Sequence, residues 1–141
     1  GRYHTCGVTS TGSVECWGRD IYGESTPPAG TFQTVSAGYI HTCGITSTGS
    51  VECLGSDTGG QSTPPAATFQ TVTAGVAHTC GVTSTGSVEC WGSDTGGQST
   101  PPAATCQTVT AGVARTCGVT STGSVECWGS DGYGQSTLPE F

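Results

Sequence analysis

Cys6, Cys43, Cys80 and Cys117 are spaced 37 residues apart, and Cys16, Cys53, Cys90 and Cys127 follow at the same interval. A fixed period of this length marks a repeat architecture, in which one small unit stacks on copies of itself. The unit reads A-G-x-x-H-T-C-G-V-T-S-T-G-S-V-E-C-W-G-x-D-x-x-G-Q-S-T-P-P-A-A-T-F-Q-T-V-T. Gly1 aligns with Gly38, Gly75 and Gly112, which predicts a single repeat domain over 1–141 with units at about 1–37, 38–74, 75–111 and 112–141. Phe141 aligns with Ala67, so the fourth unit is expected to lack its T-F-Q-T-V segment and to leave a hairpin edge unpaired. With no initiator Met and no secretory signal, the chain reads as processed or as a fragment.

Each unit follows strand logic. His4 to Thr9 and Ser13 to Trp17 are β-prone runs separated by Ser10-Thr11-Gly12. A three-residue loop ending in Gly suits a type I turn followed by a left-handed residue. That turn sets Thr9 opposite Ser13, Val8 opposite Val14, and Cys6 opposite Cys16. The cysteines then form a non-hydrogen-bonded pair with Cα atoms about 4.5 Å apart, within disulfide range. A Gly- and Pro-rich connection follows, then another strand over Thr31 to Ser36. No window carries the apolar spacing of a helix. An antiparallel sheet this small cannot bury both faces, so the units must stack sheet on sheet, around an axis or along one. The predicted class is all-β.

The register selects four disulfides, Cys6–Cys16, Cys43–Cys53, Cys80–Cys90 and Cys117–Cys127, and the C-x₉-C spacing disfavours a zinc site. Each closes a loop worth about 2.5–3 kcal/mol by the chain-entropy estimate. Leu, Ile, Val and Phe number only 20 of 141 residues, so these links supply what the core lacks. They also imply an oxidising compartment, secreted or at the cell surface. Cys106 stands where other units have Phe32 and Phe69. It reads either as a buried free thiol or as an intermolecular link.

Three Arg, no Lys, a net charge of −7 and a pI near 4.5 argue against nucleic acid and anionic membranes as partners. No apolar run reaches the roughly 18 residues of a membrane-spanning helix.

The pieces A-G-x-x-H-T-C-G-V, G-S-V-E-C-W-G and D-x-x-G-Q, in register along the whole chain, resemble the regulator of chromosome condensation repeat in its short, cysteine-bearing extracellular and bacterial form. The resemblance implies β-propeller blades, one per repeat and usually seven to a ring. It extends to secreted propellers that inhibit β-lactamases and to extracellular repeats of plant receptor kinases. Four units cannot make seven blades. The expectation is therefore a partial propeller, or a ring or array completed by further blades or by another chain.

No catalytic residue, metal ligand or cofactor is predicted. His4, His41 and His78 recur at one position, with Arg115 as the fourth member, and read as scaffold rather than as a metal ring. Glu15, Glu52, Glu89 and Glu126, and Asp20, Asp57, Asp94 and Asp131, also repeat once per unit. That argues against one acid–base pair and for loop-capping by the Asp. Trp17, Trp91 and Trp128 read as inter-blade packing. The Ser-Thr-Pro-Pro segments read as stiff connections, with O-glycosylation the other option. Positions where units differ are the candidate partner contacts: Arg2, Tyr3, Ile21, Tyr22, Tyr39, Ile40 and Tyr133. Two functions follow as expectations. One is a non-catalytic extracellular scaffold that self-associates or binds another protein. The other is a soluble binding module, a lectin recognising a glycan or an enzyme inhibitor.

Overall fold

A computed structural model describes residues 1–140; Phe141 lies outside the described residues. Among the described residues there are eleven strands: β1 His4–Val8, β2 Val14–Gly18, β3 Phe32–Ala37, β4 His41–Thr46, β5 Val51–Gly55, β6 Phe69–Ala74, β7 His78–Thr83, β8 Val88–Gly92, β9 Cys106–Ala111, β10 Arg115–Thr120 and β11 Val125–Gly129. They form four antiparallel blades, the hairpin β1-β2 and the sheets β3-β4-β5, β6-β7-β8 and β9-β10-β11. The hairpin register is that required by the Ser10-Thr11-Gly12 turn. The Gly12 amide donates to the Thr9 carbonyl at 3.0 Å, Gly12 takes a φ of 86°, and Val8 faces Val14. Cys6 faces Cys16, and the four disulfides close with Cα atoms 4.1 Å apart.

The sequence unit and the blade are out of phase. The strand closing each unit pairs with the following hairpin, β3 with β4 and β6 with β7. Connection length explains this: Gly38–Ile40 is a tight turn, whereas loop 19–31 carries the chain over to the next blade. Two expectations are corrected. Boundaries at 37, 74 and 111 cut through sheets, and the blade missing a strand is the first, not the last. The open edge belongs to β1, while β9-β10-β11 has all three strands.

A bulge resets the alternation at the start of each first strand. Phe32 pairs with Thr46 and Thr34 with Ile45. Gln33 is squeezed outward, and its amide donates to the Thr46 and Ser47 carbonyls at 3.1 and 3.3 Å. Phe32 can therefore turn inward.

The core lies between blades. Between the second and third sheets, Cys43, Ile45 and Val51 meet Phe69 and Trp91 of the next blade. Phe69 and Trp91 pack edge to face with centroids 5.7 Å apart. Between the third and fourth, Cys80 and Val82 meet Cys106 and Val109, with Trp128 against them. The Cys43–Cys53 and Cys80–Cys90 disulfides are thus part of the core as well as staples.

Candidate functional site

One hydrogen-bond relay repeats at each junction between blades. His41 Nε2 lies 2.9 Å from Thr79 Oγ1 of the next blade, and that hydroxyl donates to the Gln61 carbonyl at 2.9 Å. His4, Thr42 and the Glu24 carbonyl repeat the arrangement, as do His78, Thr116 and the Gln98 carbonyl. The single hydroxyl proton of each Thr is committed to a carbonyl. The network therefore assigns the imidazole proton to Nε2 and leaves Nδ1 as a buried acceptor without a partner. Burial, then repulsion from His78 and His4, lowers the His41 pKa to about 4; burial also lowers those of His4 and His78. The histidines are neutral joints between blades, each tied to a neighbouring Thr.

The other per-unit residues are likewise committed. Asp20 accepts from the Ser25 amide at 2.7 Å and from Thr26 Oγ1 at 2.5 Å, and Asp57, Asp94 and Asp131 repeat the motif. The Thr hydroxyl, then the Ser amide, hold the Asp20, Asp94 and Asp131 carboxyls below their ordinary range. The hydroxyls of Ser62 and Thr63, just before Pro64-Pro65, are consumed in this turn. Trp91 and Trp128 donate Nε1–H to the Gln61 and Gln98 carbonyls of the preceding blade, each at 3.0 Å. The four Glu sit one per blade on the outer strands β2, β5, β8 and β11.

The ends of the stack expose the halves of this junction. Trp17 is 59% exposed against 8% for Trp91, and Thr5 is exposed where Thr42, Thr79 and Thr116 are buried. At the other end Val125 is 45% exposed against 7% for Val51, and Arg115 is exposed in the slot that buries His41.

Four of the predicted contacts come together. Arg2 lies over the rings of Tyr39 and Tyr3 at 4.8 and 5.0 Å, and Arg19 lies over Tyr3 and Tyr22 at 5.6 and 5.3 Å. Arg2 Nη1 also meets the Tyr39 hydroxyl. The result is a row, Tyr39–Arg2–Tyr3–Arg19–Tyr22, of alternating phenol and guanidinium. Ile21 is exposed beside it, and Ile40 is half-buried with its carbonyl on the Ser56 amide. Tyr133 is 97% exposed at the opposite end of the chain.

Sequence reasoning missed Arg19 and Glu24. They replace the Ser and Gln of the other units, and that joint departure is the signal. Glu24 Oε2 accepts from the Tyr22 amide at 2.7 Å, as Gln61 Oε1 does from Gly59 at 2.8 Å. The second Glu24 oxygen lies 3.6 Å from Arg19 Nε, which holds the guanidinium in the row.

Cys106 is buried against Cys80, Val82 and Val109 as a free thiol, and burial, then Glu126, pushes its pKa up. An intermolecular link through it would require β9 to leave the core.

The family model described as Regulator of chromosome condensation (RCC1) repeat matches residues 1–24, 69–98 and 106–135, more than half of the chain. No curated protein sequence matches it significantly. Among solved structures, the ectodomain of the Physcomitrella patens receptor kinase CR4 is 29% identical with a TM-score of 0.78, over 90% of this chain and 38% of that one. The CRINKLY WD40 ectodomain of the Arabidopsis thaliana receptor kinase ACR4 is 30% identical with a TM-score of 0.75, over 90% and 46%. Prp20p from Saccharomyces cerevisiae is 15% identical with a TM-score of 0.82, over 100% and 45%, a likeness of fold. The chain spans less than half the length of each of these three. The likeness to β-lactamase inhibitors gains no support from these comparisons.

Proposed function

The chain belongs to the regulator of chromosome condensation repeat family, and from that premise we propose that it is a non-catalytic extracellular scaffold of disulfide-stapled blades that self-associates through the end faces of its stack. The observation that carries this reading is the exposure of Trp17 and Thr5 at one end and Val125 at the other, in contrast to their buried counterparts. Each end is half of a junction the chain already builds between its own blades. Exposed apolar surface of that kind marks an association site. Four disulfides and the likeness to two receptor-kinase ectodomains support an extracellular location. A non-catalytic role is supported by the Asp carboxylates being tied into their own loops, and by the Glu residues standing one to a blade.

Sedimentation velocity over a range of concentrations, with the disulfides intact, tests the reading. Reversible association weakened by Trp17→Ala is the expected result. A monomer at every concentration overturns it.

The Arg–Tyr row favours a second reading, a binding module that takes a glycan or a protein through its variable loops. Binding of a monomeric chain to glycan or protein arrays, abolished by Arg2→Gln with Tyr3→Ala, would establish that reading in place of the first.

A further inference from the structure

We propose that the Arg–Tyr row is the seat of an acidic sugar, a pyranose with one carboxylate, which the Arg2 and Arg19 guanidinium groups hold while the sugar ring lies against the neighbouring tyrosines. This site presupposes the binding-module reading of the row and names its ligand class.

Five departures from the repeat converge here. Interior units carry Val76, Ala77, Ser93, Gly96 and Gln98 where the first carries Arg2, Tyr3, Arg19, Tyr22 and Glu24. Every contact of the row is made within residues 2–24, or between Arg2 and Tyr39 of the second blade. The corresponding positions of the blades that have a neighbour on each side stay partly open. Tyr39, Ile40, Val76 and Ala77 are half-buried, and Gly59 and Gly96 are exposed. The row therefore lies on a loop-built face that a flanking blade leaves accessible.

Charge selects the ligand. The chain has three arginines and a net charge of −7, yet two of those arginines lie over the one Tyr3 ring. Glu24, 1% exposed, compensates Arg19: among the described residues its Oε1 and the Arg19 Nε, 3.6 Å apart, have no hydrogen-bond partner. That buried pair engages Nε and leaves the terminal nitrogens of Arg19 for another acceptor. Arg2 is exposed, and among the described residues no carboxylate lies within ion-pair distance of it. One positive charge thus stands uncompensated, and a planar guanidinium fork matches a carboxylate. A polyanion would be repelled by the acidic remainder of the chain, so the ligand carries a single charge.

Shape selects a sugar over a protein. Tyr3 and Tyr22 are 51% and 48% exposed. Each offers an apolar ring with a hydroxyl handle, suited to a pyranose whose C–H face is ringed by hydroxyls. A protein interface of standard size covers about 800 Å² on each partner. Beyond these side chains, the equivalent loop positions of the third blade offer only Val76, Ala77, Thr95 and Gly96.

The test is NMR of the tyrosine ring resonances while the disulfide-intact chain is titrated with methyl glucuronide, methyl glucoside or acetyl-Gly-Glu-Gly-amide. The glucuronide should shift Tyr3, Tyr22 and Tyr39 saturably and leave the distant Tyr133 unmoved. The glucoside and the peptide should each bind at least about tenfold more weakly. Arg2→Val should weaken glucuronide binding at least about tenfold, as should Arg19→Ser combined with Glu24→Gln. The latter pair is changed together because a buried carboxylate would otherwise lose its counter-ion. All three introduce the residue that an interior unit carries, and near-native far-UV circular dichroism confirms folding. Glucoside binding as tight as that of the glucuronide overturns the carboxylate-directed site and leaves a glycan-binding module standing. A peptide that binds as tightly overturns the sugar and makes an acidic protein segment the ligand. Equal shifts at Tyr133, or no saturable shift with any probe, overturn the site itself; if glycan and protein arrays are also silent, the binding-module reading falls with it.

Discussion

Acidification from pH 7.5 to 4.5 should weaken the native state through the buried histidines, and His41 sets the scale. An unfolded histidine takes up a proton near pH 6.5, whereas native His41 does so only at about 4. Below 6.5 the unfolded chain binds the proton and the native chain does not. Stability is therefore full above 6.5, falls as pH drops toward 4, and shows no further loss from this group below that. The shift corresponds to about 3 kcal/mol for His41, and His4 and His78 change in the same direction. Asp20, Asp94 and Asp131 have lowered pKa values, so their contributions disappear only at still lower pH. The measurement is denaturant unfolding at fixed pH with disulfides intact, followed by tryptophan fluorescence, since Trp91 is buried. His41→Gln retains an Nε2 donor for Thr79 but does not titrate, so it should remove about 3 kcal/mol of the pH dependence. A flat profile in the native protein, or the same slope in the variant, would refute a neutral, donor-only imidazole in the relay.

Thr79→Val should cost about 1–3 kcal/mol in the same unfolding assay, because the His41 N–H loses its partner while buried and the Gln61 carbonyl keeps only the Trp91 N–H. Thr5→Val, at the exposed equivalent, should stay within about 0.5 kcal/mol. Iodoacetamide should leave the native chain unlabelled, add one group after unfolding without reduction, and add nine after reduction, as read by mass spectrometry. Cys106→Phe should raise stability by about 1–2 kcal/mol, since the ring would fill the place that Phe69 takes beside Trp91, here beside Trp128. A lower denaturant midpoint would show that the fourth blade has repacked around sulfur.

The parts legible in the sequence were those governed by local chain geometry. Ser10-Thr11-Gly12 fixes a turn, the turn fixes the register, and the register pairs Cys6 with Cys16. What the reading misplaced was the partner of the T-F-Q-T-V strand, because a repeat in sequence carries no phase. Only the contrast between the tight turn at Gly38–Ile40 and the long loop 19–31 assigns that strand to the next hairpin. The Thr42, Thr79 and Thr116 hydroxyls bond 38 residues away, across a junction that strand alternation within one unit does not describe. Arg19 and Glu24 were readable only as a pair, since each alone resembles drift between duplicated units.

Charge and side-chain size follow from which junctions are dry. All three arginines lie in the first and last units, and the slots between interior blades hold neutral histidine, threonine hydroxyls and disulfide sulfur. A guanidinium placed at His41 or His78 would be sealed against the next blade, and an unpaired charge there costs several kcal/mol. At Arg115 the same residue faces water. The tyrosines divide in the same way: Tyr3, Tyr22 and Tyr39 surround the arginines near the first blade, Tyr133 stands at the last, and Val76, Ala77, Gly59 and Gly96 fill the equivalent interior sites. Residues shared by all units build the junction and leave little freedom to change. The large side chains that depart from the repeat gather instead in the Arg–Tyr row and at Tyr133, where neither close packing nor desolvation constrains them.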